Sequence, residues 1–412
     1  MKNIVAVVGG GAAGLMAAYQ AAVHGACVTL FERNPNLGRK ILISGKGRCN
    51  LTNIKNMQEF IENIPGNGKF LYSALARFSN NDLIAFFEKL GVPTKVERGG
   101  RVFPQSDRSI DVVKAMEAAL AKAGVSVKYK SRVRTLVIEN GRVIGLKLYN
   151  SDEQYFCDRV VVATGGLSYP ATGSTGDGYV LARQAGHTVT RLIPSLVPLV
   201  IRENWVKELQ GLSLRNIEVS VFIKGKQVAS KFGEMVFTHF GVSGPVILTL
   251  SRDVVEHLGN QITLSINLKP ALSEKELDAR LLRDFKRYER RIYKNALIEL
   301  LPEKLIPVFV KCSGIEPDKP VNQITREERR KIIETLRGLR LSVIGCMERE
   351  AIVTRGGVSI REIDPKTMES RLVKGLFFAG EVLDVDGLTG GYNLQAAFST
   401  GYLAGIHAAV NE

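Results

Sequence analysis

The chain has only five cysteines in 412 residues, and no two of them stand at a Cys-x-x-Cys or Cys-x4-Cys spacing. Cys27, Cys49, Cys157, Cys312 and Cys346 are scattered and odd in number, so neither a zinc site nor a disulfide framework is signalled. The missing close pair also removes the redox enzymes that work through a dithiol. No internal repeat or low-complexity tract stands out. Charge is absent from Ile4 to Val23, a run long enough to cross a bilayer. Gly9, Gly10, Gly11 and Gly14 interrupt it, however, and only Lys2 precedes it as a charge. No small-residue cleavage site with a polar start follows. A signal peptide or anchor therefore fits poorly, and a cytoplasmic protein without a membrane segment is expected.

What is present points to a folded enzyme of more than one domain. Hydrophobic residues make up 45% and charged residues 24%, the balance of a globular chain. A length of 412 residues exceeds one ordinary core, so two or three domains are expected. The net charge of +15 suggests an anionic partner, whether nucleotide, acidic substrate or nucleic acid, although a basic surface without a partner explains it equally well.

Asn3–Val8 reads as a buried strand, Ala12–His24 as a helix and Ala26–Phe31 as a second strand. Ser109–Ala123 has helical periodicity and Val125–Tyr129 follows as a strand. Arg134–Glu139 and Arg142–Leu148 flank Asn140-Gly141, a hairpin signal. Arg159–Ala163 is another buried strand. From about Arg191 the character changes: Val219–Ile223 and Ile262–Leu268 read as strands, with Lys224-Gly225-Lys226 as a turn. After Pro270 the pattern is helical and highly charged through Arg340, then returns to short strands and glycine turns after Met347. The densest basic run, Lys286 to Lys294, interleaves two tyrosines. It is either a solvated helix face or a surface on which Arg287, Arg290 and Arg291 meet RNA.

Gly9-x-Gly11-x-x-Gly14 follows a strand and opens a helix, the context in which this motif binds a dinucleotide. Gly9 permits the turn, Gly11 lets backbone approach a pyrophosphate, and Gly14 lets helix pack on sheet. Glu32 ends the next strand, where a carboxylate can accept from ribose hydroxyls and would repel a 2′-phosphate. Two later signals favour FAD over NAD. Ala163-Thr164-Gly165-Gly166 follows a late strand, and Leu376 to Glu381 is an apolar strand ending in Gly380-Glu381. Gly390-Gly391-Tyr392-Asn393 then opens a final helix, Leu394–Ala409, whose N-terminus would stabilise negative charge on a reduced flavin.

Over essentially its whole length the chain resembles the BaiN-like (YhiN-type) family of NAD(P)/FAD-dependent oxidoreductases. The resemblance rests on Gly38-Arg39-Lys40, Ser44 to Asn53, Thr164 to Pro170, Gly173 to Gly178, Phe237 to Pro245, Thr354 to Val358, and Gly380-Glu381 through Asn393. It implies an α/β fold: a discontinuous Rossmann-like FAD-binding domain of the two-dinucleotide-binding type, with an inserted β-barrel-like domain and a small helical domain. The expected boundaries are 1–190 and 346–412 for the FAD domain, 191–269 for the β-rich insertion and 270–345 for the helical one. The residues expected against FAD are Gly9, Gly11, Ala12, Ala13, Gly14, Glu32, Arg33, Lys40, Ser44, Gly45, Gly47, Arg48, Cys49, Asn50, Val133, Ala163, Thr164, Gly165, Gly166, Gly380, Glu381, Gly391, Tyr392, Asn393 and Leu394. No metal is expected.

The family resemblance further implies reduction of a carbon–carbon double bond, in steroid-type molecules or in uridine of large-subunit ribosomal RNA. The second carbon needs a proton donor. His239, Arg355 and Tyr392 are the catalytic candidates; the alternatives are a satisfied structural histidine for His239, a flavin-carbonyl contact for Arg355 and packing for Tyr392. NADH or NADPH would act transiently, since only one nucleotide fingerprint is present. Two other readings stay open: an oxidase of a small amine or similar metabolite, and a non-catalytic RNA- or ribosome-binding flavoprotein. Oligomeric state is not indicated.

Overall fold

The structure, a computed structural model, describes residues 2–410. The chain divides into two compact units, one of Met1–Pro194 with Ile352–Glu412 and one of Ser195–Ala351.

The first unit is built on a five-stranded parallel sheet in the order Leu376–Phe378, Arg159–Val162, Ile4–Val8, Cys27–Phe31, Ser126–Lys128. Val5 to Val8 and Val160 to Val162 are buried, as parallel strands covered on both faces must be. The register aligns Val8 with Phe31 and Val162, and Val162 with Phe378. The four segments that follow these strands therefore emerge along one edge, the carboxyl end where open α/β sheets bind ligands.

The uncharged opening stretch is explained by what surrounds it. The helix Ala12–Val23 is buried along most of its length, so it has no polar face to carry charge. Against it lies the final helix, Tyr392–Ala409, which starts two residues before the expected Leu394. A Cβ at Gly401 would overlap the Ala13 carbonyl oxygen, and one at Gly405 the Ala17 carbonyl oxygen. Only glycine permits this backbone-to-backbone packing, which joins the two ends of the chain in one layer. On the hairpin Val133–Glu139 and Arg142–Leu148, Asn140 (φ +50°) and Gly141 (φ +71°) form the expected left-handed turn, and Ser151–Phe156 adds an unanticipated third strand. A second three-stranded sheet, Thr52–Asn53, Arg101–Pro104 and Thr94–Glu97, was also not legible as strand.

The second unit has its own core and contains a closed six-stranded barrel. Its order is Leu199–Ile201, Gly241–Ser243, Lys226–Phe237, Ser213–Ile223, Ile262–Asn267 and Leu339–Cys346, which closes on the first. The helices Glu274–Arg287, Ile306–Ser313 and Arg326–Arg337 are inserted before the last strand. Two of them start with reciprocal caps, Ser273 with Glu276 and Thr325 with Glu328. The chain thus leaves the barrel, forms the helices and returns to close it. This differs from the expected order of a β-rich stretch followed by a helical one ending at 345. The alternation of inward Leu339, Leu341 and Val343 marks the strand, but it abuts the charged helical run and was read with it. Among the described residues, no helix is long and apolar enough to cross a membrane.

Candidate dinucleotide site

The turn after the first strand crosses the end of the neighbouring one. Gly9 has φ +104°, and a Cβ on it would stand 2.6 Å from the Ala163 carbonyl oxygen. A Cβ on Gly14 would overlap the Gly9 carbonyl oxygen, so the helix packs against its own turn. Gly11 is different. A Cβ there would meet no protein atom within 4 Å, and this residue begins a helix with no side-chain cap. Free first-turn N–H groups beside open space form an anion site. Ala12 and Ala13, both buried, continue that first turn.

Glu32 is 6% exposed and organises the adjoining edge. One carboxylate oxygen accepts from Gly10 N (2.7 Å); the other accepts from Asn34 N (2.7 Å) and Asn34 Nδ2 (2.6 Å). The Ser131 amide donates to the Glu32 carbonyl (2.9 Å), which brings buried Val133 to the same edge. Arg33 donates to Thr175 and to Asp177 (3.1 Å), and Arg132 grips both oxygens of Asp177 at 2.8 Å. Burial would raise the Asp177 carboxyl, but the Arg132 hydrogen bonds and the charges of Arg132 and Arg33 hold it below its ordinary value. Arg33 therefore ties down the Gly173–Gly178 loop.

At the other two strand ends the expected glycines bracket an ion pair. Lys40 Nζ donates to Glu381 and to Ser168 Oγ (2.6 Å). Glu381 also accepts from Ser168 Oγ (2.7 Å) and from Thr354 N (2.8 Å). Burial pushes this carboxyl up, yet the Lys40 charge and the three hydrogen bonds hold it below the usual glutamate value. Gly166 is needed here, since its Cβ would stand 2.9 Å from the Glu381 carboxylate and press on the Thr354 hydroxyl. Gly165 has φ +75°, and Gly380, at φ +78°, faces Ala13. The Thr164 hydroxyl is buried with no hydrogen-bond partner among the described residues. Ser168, Thr354 and Asn34 were missed as site residues. Ser168 and Thr354 lay inside quoted motifs, and hydroxyls two residues from a glycine pair were the available signal.

The loop Ser44–Gly47 contains left-handed Gly45 (φ +56°) and Lys46 (φ +60°), followed by Gly47 (φ +83°) and Cys49 (φ +61°). Ser44 Oγ closes onto the Ile41 carbonyl (2.7 Å). Asn50, with its amide turned as its neighbours' hydrogen bonding requires, donates to Thr52 O (3.1 Å) and accepts from Gly391 N (3.0 Å). Asn53 donates to Gly390 O (3.1 Å), and Asn393 clamps Gly387 through both amide atoms (2.8 Å each). This polar loop is thereby fastened to the start of the final helix, which has no side-chain cap; Leu394 lies half-buried in its first turn.

Three expectations look different in three dimensions. The Arg48 guanidinium is engaged by Glu97, Asp107 (2.8 Å) and the Phe103 ring (4.2 Å), so it is a brace of the small sheet. Cys49, expected against FAD and not as a redox thiol, is solvent-free, and burial pushes its thiol up to about 12, which leaves it inert. Tyr392 is 3% exposed, packs edge-on against Phe60 at 4.8 Å, and is raised to about 12 by burial. Arg355 is half-buried beside Thr354, on a strand flanked by Gly356 (φ +90°) and Gly357 (φ +157°). His239 belongs to the second unit, on an exposed turn between two barrel strands. Among the described residues no cluster of His, Cys, Asp or Glu could hold a metal ion.

These residues fit FAD. An uncapped helix start with empty space at Gly11, a buried acid on the second strand and an unpartnered threonine hydroxyl on the next are what its pyrophosphate and sugars require. Fold and site together define a Rossmann-type, FAD-dependent oxidoreductase. The chain belongs to the HI0933-like Rossmann-domain protein family, which it matches over residues 3–407. It is 32% identical over 415 residues to the 3-dehydro-bile acid delta(4,6)-reductase of Clostridium scindens, covering 99% of each chain. It is 33% identical over 411 residues to the ribosomal RNA dihydrouridine synthase of Haemophilus influenzae, covering 98% of each. Among solved structures, a flavocytochrome c3 fumarate reductase superposes with a TM-score of 0.54 at 18% identity, covering 99% of this chain and 78% of that one. A 3-ketosteroid-delta4-(5alpha)-dehydrogenase from Rhodococcus jostii gives 0.54 at 17%, covering 99% and 96%. The solved structures bear on the fold alone.

Proposed function

We propose that this protein uses FAD to reduce a carbon–carbon double bond with electrons from NADH or NADPH, and that its substrate is uridine in large-subunit ribosomal RNA. The observation that carries the reading is full-length similarity to two relatives whose names both describe saturation of a ring double bond. The basic balance of +15 favours the polyanionic substrate over the bile acid.

Bound FAD would supply the hydride to one carbon of the double bond. The chain supplies the rest. The Gly11 helix start and Glu32 would hold pyrophosphate and ribose, and the uncapped helix start at Gly391 would favour negative charge beside it. The second carbon needs a proton. Within the nucleotide-binding unit, burial keeps the Tyr392 phenol protonated at neutral pH, whereas Glu381 is held ionised. With one fingerprint occupied by FAD, the nicotinamide donor would bind transiently, without a Rossmann domain of its own. The cytoplasm, where ribosomal RNA resides, is the corresponding location.

The test is an anaerobic titration of the purified holoprotein with NADPH and then NADH, followed by measurement of dihydrouridine in ribosomal RNA incubated with it. Bleaching of the flavin band and new dihydrouridine are expected. A flavin that neither nucleotide reduces, but that oxygen rapidly reoxidises after an amine has reduced it, would replace this reading with an oxidase.

A further inference from the structure

The second unit holds a groove of about 800 Å³ among its helices, and it collects residues distant in sequence. Ile306, Pro307, Val310 and Ile315 contribute apolar surface to it, joined by Ile298, which is 54% exposed. Arg291, Lys294 and Lys311 also line it, against one acid, Glu303. Arg291 and Lys311 have no ion-pair partner among the described residues, whereas Lys294 is paired with Asp318 at 2.7 Å. The Arg291 guanidinium stacks on the Tyr288 ring at 4.4 Å. The basic run read from the sequence is thus divided by the fold. Arg287 is neutralised by Glu299 (3.2 Å), which also takes the Tyr288 hydroxyl, while Arg291 turns its charge to the groove.

We propose that this groove docks single-stranded RNA, with phosphates on Arg291 and Lys311 and an unstacked base on the apolar surface between them. The proposal rests on the RNA reading above and assigns it a surface. Unneutralised cations next to exposed aliphatic surface match a chain whose units each carry one negative charge and one flat apolar face. A guanidinium already stacked on an aromatic ring offers a plane for a further base. The volume is of the size that encloses a nucleoside-sized group. An acidic protein segment would use the charges but not the stacked plane.

The experiment uses the full-length holoenzyme and ribosomal RNA extracted from cells lacking it. Binding is followed by filter retention across a salt series, with bound flavin per chain as the folding readout. The double variant Arg291→Glu/Lys311→Glu should raise Kd by about tenfold or more and flatten the dependence of log K on log salt by about 1.4, roughly 0.7 per lost phosphate contact. Ile298→Asn should raise Kd several-fold while leaving the salt slope intact. Lys331→Glu, a single charge reversal at an exposed position outside the groove, should bind as wild type does. Wild-type affinity in both groove variants, even with a protein partner lost, would overturn the assignment and leave the RNA reading standing. Equal weakening by Lys331→Glu would overturn it in favour of diffuse charge. Wild-type holoenzyme that neither binds nor reduces the RNA would end the RNA reading, and this proposal with it.

Discussion

The substitution Lys40→Met removes the cation that hydrogen-bonds Glu381 and leaves that carboxylate with Ser168 Oγ and Thr354 N. Removing one partner of a fully buried pair costs about 3–5 kcal/mol, because the remaining charge stays desolvated. Here the Lys40 and Glu381 side chains keep 27% and 18% of their surface, so solvent screens part of the loss and about 2–3 kcal/mol is expected at neutral pH. The pH dependence carries the sharper test. In the wild type Glu381 titrates below its unfolded value, so its contribution is present above the ordinary glutamate range and is lost as pH falls through the lowered folded value. Without Lys40 the burial effect dominates and the carboxyl rises, so the variant instead loses stability as pH climbs above that range. The gap between the two proteins should therefore narrow from neutral pH towards roughly pH 4. Urea unfolding of the full chain at several pH values measures it, together with flavin retained per chain. Adding Glu381→Gln to Lys40→Met should recover most of the loss, since no charge is then stranded. A cost under about 0.5 kcal/mol, or a gap that does not change with pH, would refute the pairing argument.

The two glycines of the opening turn should separate folding from binding. Gly14→Ala collides with the Gly9 carbonyl and should cost about 1–3 kcal/mol along with FAD, whereas Gly11→Ala meets no protein atom and should weaken FAD binding with little change in the unfolding midpoint. Equal effects on the midpoint would contradict the open space assigned to Gly11. Iodoacetamide at mildly alkaline pH should label the exposed Cys27 and Cys312 and spare Cys49 until the chain is unfolded; mass spectrometry that finds Cys49 alkylated in the native protein would reverse the conclusion that its thiol is inert.

The features that repeat locally were legible in the sequence. Val5 to Val8, Val28 to Phe31 and Val160 to Val162 are apolar runs beside glycine turns, and their character depends on their own composition. Gly9, Gly11, Gly14 and Glu32 could be read because one strand–turn–helix–strand unit spans them, and their roles follow from backbone geometry within that unit. The Asn140-Gly141 and Lys224-Gly225 turns were readable for the same reason.

Tertiary structure alone decided the partnerships between distant segments. Arg48, Cys49 and Tyr392 were read by their place in polar loops and beside a helix start, but burial and the arrival of Glu97, Asp107 and Phe60 made them a brace and packing groups. Lys40 met Glu381 across 341 positions of sequence, with Ser168 and Thr354 completing the cluster, and no local pattern encodes such a meeting. The barrel's last strand was hidden because its alternation begins where a charged helix ends. Arg287 and Arg291 differ for the same reason. Four residues apart in one basic run, they were equivalent until folding placed Glu299 beside one of them and an apolar groove beside the other. A side chain's charge is fixed by its chemistry, but whether that charge is spent or available depends on which remote group the chain carries to it.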